Sequence, residues 1–377
     1  MAVKPTWRNS DYSQHVPKTI TGLHLAAYFG IEKVLENLLG EQGSDPDMSD
    51  DFGRTPISYA AGNGYETVAK QLLDTFAINS DSTDNDGQTP LMWAAKEGHS
   101  TVVELLLVTG RGDSNARDRY SQTSLLLAAK NGQKAATKLL IENHANLNAR
   151  DNFGQTPLWW AVRNGDIPIM ELLLAKDGVD INTKNRYDQS PLWWAARNGD
   201  GAAVNLLLTQ DGIDINTKNK SGQTPLGAAA QKGYEAVVSM LLAKKDIEVG
   251  IADEYGRTPL LWAARRGHEP VVQLLLNQQD IELDAKDYEG YTPLNLAIDG
   301  GRFRITRLLL ESGADIEAKT HAGHTPLHNA SISGRFKIVK LLLEHGADRK
   351  IADNDGRTAM DLALRNGHSV VAGLLSQ

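Results

Sequence analysis

Apolar and polar positions along this chain recur with a period of 33 or 34 residues. One hydroxyl residue marks each period: Thr21, Thr55, Thr89, Thr123, Thr156, Ser190, Thr224, Thr258, Thr292, Thr325 and Thr358. Alanine stands five positions after every marker, glycine nine after and leucine seventeen after, from Ala26, Gly30 and Leu38 through to Ala363, Gly367 and Leu375. The apolar spacing within a period, as in Leu91, Ala94 and Ala95 and then Val102, Val103 and Leu106, predicts two short helices. The marker hydroxyl suits a helix N-cap, and the proline that follows most markers suits the first helical position. Glycine two positions before most markers, as at Gly53 and Gly87, supplies the positive φ of a tight hairpin. The pattern therefore predicts eleven units, each a hairpin finger followed by two antiparallel helices. A unit this short cannot bury its own apolar face, so neighbouring units must stack into a solenoid.

Departures from the pattern mark the ends and one interior stretch. Gly22 replaces the first proline, Ala359 replaces the last, and the final unit stops soon after Leu375, so both terminal units read as caps. Ser121 and Asp188 replace the turn glycine, Ser124 a proline and Ser190 a threonine, which predicts hairpins of different geometry or lower stability there. The extra residue of the longer periods falls in the loop after the second helix, as in the stretch 175–182. The array spans residues 19–377, and residues 1–18, with Trp7 and Tyr12, read as an N-terminal linker or cap segment.

Asp86-Gly87-Gln88-Thr89-Pro90-Leu91, with Ala94-Ala95 and Gly98-His99 after it, resembles the ankyrin repeat. So does Gly323-His324-Thr325-Pro326-Leu327-His328, with Leu341-Leu342-Leu343-Glu344-His345-Gly346-Ala347-Asp348 after it. The resemblance implies an all-α, curved and elongated superhelix whose fingers and first helices line a concave face. It also implies recognition through the residues that the fold leaves free. Pro191-Leu192-Trp193-Trp194-Ala195-Ala196-Arg197-Asn198-Gly199 further resembles fungal ankyrin tracts that follow nucleotide-binding modules, which leaves a sensor portion of a larger receptor as an alternative. Tetratricopeptide repeats share the period of 34 but have no place for the Gly-x-Thr-Pro-Leu hairpin.

Three columns carry candidate binding chemistry. Three positions before the marker stand Phe52, Tyr120, Phe153, Tyr187 and Tyr255, aromatic at a fingertip that is ordinarily exposed; they either bind a partner or stack on the next finger. Three and four positions after the marker stand six of the seven tryptophans: Trp159 and Trp193 at the earlier position, and Trp93, Trp160, Trp194 and Trp262 at the later one. The later set reads as packing between repeats, whereas Trp159 and Trp193, where the family usually has histidine, are equally balanced between packing and binding. Seven positions after the marker stand Lys96, Lys130, Arg163, Arg197 and Arg265, with Gln231 interrupting and Arg266 one step further on. Helices packed side by side lie about 10 Å apart, so such charges fall within about a Debye length of one another. These cations suit both the negative end of a helix and the face of a nearby tryptophan.

Net charge is −8, and from Glu32 to Asp86 twelve acids face three bases, so the basic column stands out against an acidic chain. Tyrosine, tryptophan and arginine together have the composition of binding hot spots. The expected function is a non-catalytic scaffold that binds another protein on the concave face of the central repeats. The expected partner is an extended acidic or phosphorylated segment, held by Tyr120, Phe153, Tyr187, Tyr255, Trp159, Trp193, Arg163, Arg197, Arg265 and Arg266. Nucleic-acid binding through the basic column is disfavoured by the acidic total. With no cysteine, thiolate catalysis, a disulfide framework and cysteine-ligated metal are excluded. His321, His324, His328 and His345 resemble metal spacing only superficially, because His328 occupies the family's structural position. No phosphate-binding loop or nucleophile elbow is present, so no cofactor is expected. No apolar run reaches the length of a membrane helix. A monomer is expected, in the cytoplasm or alternatively the nucleus.

Overall fold

The computed structural model describes residues 17–75 and 78–377; Trp7, Tyr12 and most of the segment read as linker or cap lie outside the described residues. The chain divides into two compact units, Met1–Asp180 and Ile181–Gln377. A solenoid touches itself only through adjacent repeats, so a division between two repeats breaks few contacts, and periodicity alone does not announce one.

In the first unit the helices come in pairs: α1 (Gly22–Phe29) with α2 (Glu32–Leu39), α3 (Pro56–Asn63) with α4 (Glu66–Leu73), α5 (Pro90–Glu97) with α6 (Ser100–Val108), α7 (Ser124–Lys130) with α8 (Lys134–Glu142), and α9 (Pro157–Asn164) with α10 (Ile167–Leu174). First helices pack on first helices in the order α1, α3, α5, α7, α9, and second helices on second helices in the order α2, α4, α6, α8, α10. The second unit repeats this scheme with α11 (Pro191–Asn198), α12 (Gly201–Leu208), α13 (Pro225–Lys232), α14 (Glu235–Leu242), α15 (Pro259–Arg266), α16 (Glu269–Leu276), α17 (Pro293–Asp299), α18 (Phe303–Glu311), α19 (Pro326–Ile332), α20 (Phe336–Glu344), α21 (Ala359–Arg365) and α22 (Ser369–Leu375). Apart from one bridge between Ala352 and Thr358, every regular element among the described residues is an α-helix.

The periodic residues do what their chemistry requires. The Thr89 hydroxyl accepts the Met92 N–H at 3.3 Å, and Ser190 does the same for Trp193 at 3.1 Å, so serine caps as threonine does. The leucine two positions after the marker, such as Leu91, Leu158 or Leu226, is fully buried. Each such side chain contributes on the order of 1.5–3 kcal/mol of burial. Ala94 and Ala95 are buried as well, and their small side chains let α3, α5 and α7 approach closely. Gly64 ends α3 at φ 75°, and a Cβ there would come within 2.4 Å of the His99 ring, so both backbone and space require glycine. His99 Nε2 in turn bonds the Gly62 carbonyl at 3.0 Å, which ties one repeat to the one before it.

Successive fingers join edge to edge. In the first unit the backbone N–H groups of Asn85, Arg119 and Asn152 donate to the carbonyls of Phe52, Asp86 and Tyr120 at 2.9–3.0 Å. The second unit repeats this with Lys220 on Tyr187, Glu254 on Ser221 and Tyr288 on Tyr255. The hairpins without glycine are not rebuilt, as the sequence had left open: Ser121 and Asp188 take φ of 60° and 56°, in the same left-handed region as Gly53 at 74°. An L-residue there costs about 1–2 kcal/mol. Asp188→Gly should therefore raise the stability of the second unit by about 1 kcal/mol, partly offset by the greater freedom of glycine in the unfolded chain. A urea midpoint that stays put or falls would show that Asp188 makes a compensating contact.

The two marker-plus-three histidines add pH dependence. Thr21 Oγ1 bonds His24 Nδ1 at 2.7 Å, and His24 Nε2 donates to the Arg54 carbonyl at 3.0 Å. His328 repeats this with Thr325 and Arg357 at 2.7 and 3.1 Å. Burial pushes both imidazoles below the ordinary histidine value, and the hydrogen bond to the carbonyl only partly opposes it. The folded state holds them neutral while the unfolded chain takes up a proton below about pH 6.5. Their stabilising contribution is complete above that pH and is lost as pH falls, at up to about 1.4 kcal/mol per pH unit for each. Amide exchange in α1 and α19 should accelerate between pH 7.5 and 5.5 beyond its intrinsic pH dependence; an unchanged local stability would contradict the buried neutral state.

Candidate functional site

The site is built from the fingers upward, and its base is a column of acids five positions before the marker. Asp84 Oδ1 accepts the N–H groups of Asp86 and Gln88 at 2.9 and 2.8 Å, which closes the finger. Its Oδ2 accepts the Trp93 indole N–H at 3.0 Å, which fixes the finger to α5. Asp151 does the same for Trp160 at 3.2 Å, and Asp253 for Trp262 at 2.7 Å. In the second repeat Tyr59 replaces tryptophan, and its hydroxyl donates to Asp50 at 2.5 Å. Burial, reinforced by that bond, pushes the Tyr59 hydroxyl up, so it remains a donor. The acid also receives a donor from the preceding finger: Arg257 Nε donates to Asp287 at 3.2 Å and Gln88 Nε2 to Asp118 at 3.5 Å.

Cations gather on the tryptophan rings that these acids orient. In the first unit Arg54 and Lys96 lie 4.7 and 4.5 Å from the Trp93 centroid, and Lys130 and Arg163 lie 4.7 and 4.8 Å from that of Trp160. Each such contact contributes about 0.5–1 kcal/mol at an exposed site. Lys96 and Lys130 form no ion pair among the described residues. Burial holds the Lys130 ammonium below its usual value; Asp151 and Asp118 oppose that shift, while Lys96 and Arg163 add to it. In the second unit Arg257 and Arg266 lie 5.0 and 5.7 Å from Trp262, and Arg197 lies 5.6 Å from Trp193. Arg265 is exposed beside Arg266.

The fingertip aromatics are exposed: Tyr120 and Phe153 in the first unit, Tyr187 and Tyr255 in the second. Arg119 lies 4.8 Å from the Tyr120 ring and bonds both its hydroxyl, at 2.5 Å, and Asp86, at 2.7 Å. Arg186 and Arg257 lie 5.7 and 5.5 Å from the rings of Tyr187 and Tyr255.

Two of the expected contact residues require correction. Trp159 and Trp193 are 1% and 2% exposed, so neither has surface to offer a partner. They fill the slot that the fully buried His24 fills in the first repeat, and Trp159 packs edge-on against Trp160 at 5.8 Å. Trp160 and Trp194, expected only to pack, are the half-buried pair. The acid column, the arginines before the marker (Arg54, Arg257), the fingertip arginines (Arg119, Arg186) and the exposed Tyr288 were missed. Reading the column five before the marker would have exposed the first: Asp50, Asp84, Asp118, Asp151, Asn185, Asn219, Asp253, Asp287, Thr320 and Asp353.

The arrangement offers guanidinium and ammonium donors above aromatic faces, which suits carboxylate or phosphate groups on an extended segment. Among the described residues no group of three or more His, Cys, Asp or Glu is arranged to hold a metal ion. His324 and His328 instead stack on one another at 5.9 Å. No helix among the described residues is long and apolar enough to cross a membrane.

Comparison with known proteins gives one family. The model described as "Ankyrin repeats (3 copies)" matches residues 23–118, 108–185, 178–253, 246–320 and 317–377. No curated protein matches the chain.

Proposed function

Because the chain belongs to the ankyrin-repeat family, whose repeats generally mediate protein–protein interaction, we propose that it is a non-catalytic scaffold that binds an extended acidic or phosphorylated segment of another protein. The segment lies along the side formed by the fingers and first helices. In the first unit it meets Tyr120, Phe153, Lys96, Lys130 and Arg163; Tyr187, Tyr255, Arg197, Arg265 and Arg266 are the corresponding surface of the second unit, taken by itself. One observation carries this reading: in a chain of net charge −8, Lys130 and Arg163 both rest on the ring of Trp160, at 4.7 and 4.8 Å from its centroid. Like charges held together destabilise the free protein slightly and become favourable when an anionic partner arrives. The rings hold the cations in place beforehand, so less side-chain freedom is lost on binding.

The test is a pull-down from native lysate with the wild type, Arg163→Ala, Arg197→Ala and the double variant. A protein retained by the wild type and lost from the variants, with retention that falls steeply as salt rises, supports the reading. Retention that is equal for all four and indifferent to salt would place recognition elsewhere.

A further inference from the structure

Two neighbouring second helices of the second unit carry a charge pattern that their fellows lack. Residues 301–311 and 334–344 both read Gly-Arg-Phe, a cation, two further residues, a second cation, then Leu-Leu-Leu-Glu. Phe303, Arg304 and Arg307 stand eleven, twelve and fifteen positions after their marker, and Phe336, Lys337 and Lys340 repeat them. No other second helix of that unit places a cation in any of the three columns; the preceding repeat has Glu269, Pro270 and Gln273 there. Positions three and four apart are neighbours on a helix, so each ring and its two cations share one face. The opposite face is the buried one, with Ile305 and Leu309 on α18 and Ile338 and Leu342 on α20. All four cations are exposed, Phe336 is 42% exposed and Phe303 half-buried. Arg307 lies 5.0 Å from the Phe303 centroid. Because α18 packs on α20, at the roughly 8–10 Å of packed helices, the two sets form one cationic strip with rings in it. Arg302 and Arg335 are not counted in it, since their guanidinium groups lie back against Gly267 and Gly301. Arg304 meets Glu269 at 3.7 Å and Lys340 meets Glu344 at 3.8 Å, but both pairs are solvent-exposed and hold their cations only weakly.

We propose that this strip docks the protein on an anionic membrane surface. Arg304, Arg307, Lys337 and Lys340 meet lipid phosphate and carboxylate groups, and the rings of Phe336 and Phe303 enter the boundary between headgroups and acyl chains. The long cationic stems lie along that apolar boundary while their heads stay at the phosphates. The net charge of −8 does not forbid the approach, because charges beyond a Debye length of about 8 Å are largely screened and the strip itself lies at the contact. The rings favour lipid over nucleic acid. A duplex held through its phosphates needs the cations and gives the phenylalanines no task. A single strand stacks its bases on rings that follow one another along a groove. Here the two rings open the first turns of helices lying side by side, on their outward face. The strip uses no finger and no first helix, so it adds to the scaffold reading without depending on it.

Flotation of the full chain with vesicles tests the proposal, using phosphatidylcholine alone or mixed with about one-third phosphatidylserine. The wild type is expected to bind the anionic vesicles about tenfold better or more, with binding that falls as salt rises. Arg304→Glu/Arg307→Glu/Lys337→Glu/Lys340→Glu should abolish that preference, and the milder Lys337→Gln/Lys340→Gln should reduce it; far-UV circular dichroism checks the fold of each. Phe336→Ser leaves the charge untouched and should still weaken binding about threefold. Equal binding to both kinds of vesicle, or a charge reversal without effect, would overturn the proposal. Unchanged binding by Phe336→Ser would overturn the insertion of the rings and with it the case for lipid. Loss of vesicle binding in Arg163→Ala/Arg197→Ala, with retention in the α18–α20 reversal, would also overturn it, because the first helices would then meet the membrane. So would retention on a DNA duplex with none on anionic vesicles.

Discussion

Replacing Asp84 with alanine is expected to destabilise the first unit by about 3–5 kcal/mol, the range found when one member of a buried polar network is removed. Four groups depend on this one carboxylate. The Asp86 and Gln88 N–H groups and the Trp93 indole N–H lose their acceptor, and Arg54, whose Nε lies 4.0 Å away, loses its counter-charge. Each donor left buried without a partner costs about 1–3 kcal/mol. The loss falls on both the finger and its seam with α5, so neighbouring repeats should loosen together. Asp84→Asn should cost far less, because Asn185 holds the same position in the second unit and still accepts the Tyr187 and Gln189 N–H groups at 2.9 and 3.1 Å. Urea unfolding followed by circular dichroism separates the two variants. If Asp84→Ala unfolds with the wild type, or Asp84→Asn proves equally damaging, the carboxylate is not the joint described above.

The second large effect concerns binding. Lys130→Glu with Arg163→Glu should weaken the partner recovered from lysate by about a hundredfold, since two charge-assisted contacts become repulsions, at about 1.5 kcal/mol or more each. The same change removes two contacts to the Trp160 ring, which costs the fold only about 1–2 kcal/mol. Thermal unfolding should thus show a folded protein that no longer binds. Lys138→Glu, on the exposed face of α8 where the lysine pairs with Glu142 at 3.8 Å, is the control for charge alone and should leave binding within a fewfold. Equal affinity of the double reversal and the control would remove the basic column from the binding account.

Much of the fold was legible because its determinants recur. The cap hydroxyl, the buried leucine and the glycine that ends the first helix stand at fixed offsets, and each has a single physical role. The site was legible only where exposure follows from position, as at the tips Tyr120 and Tyr255. The later tryptophans Trp93 and Trp262 pack as expected, but Trp159 and Trp193, which the sequence leaves balanced between packing and binding, are the buried members of their adjacent pairs, for a geometric reason. Residues three and four after the marker differ by about 100° on the helix, and both border the buried side. Periodicity therefore does not say which ring turns inward, although the buried His24 in the earlier column was a usable clue. The link from Asp84 to Trp93 joins positions nine apart across a hairpin, which helical spacing does not reveal. The pairing is only partial in the sequence: Asp50, Asp84, Asp151 and Asp253 each stand nine before an aromatic donor, whereas Asp118, Asp287 and Asp353 precede leucine and Asn185 precedes Trp194.

The central claim is that a partner lies on the fingers and first helices, over the cations held on tryptophan. Amide exchange of the full chain with and without the partner recovered from lysate tests it most directly. Slowed exchange is expected in the fingers around Tyr120 and Phe153 and at the ends of α5, α7 and α9 near Lys96, Lys130 and Arg163, with α4, α6 and α8 unchanged. Protection confined to those second helices, with the fingers exchanging as in the free protein, would contradict the account.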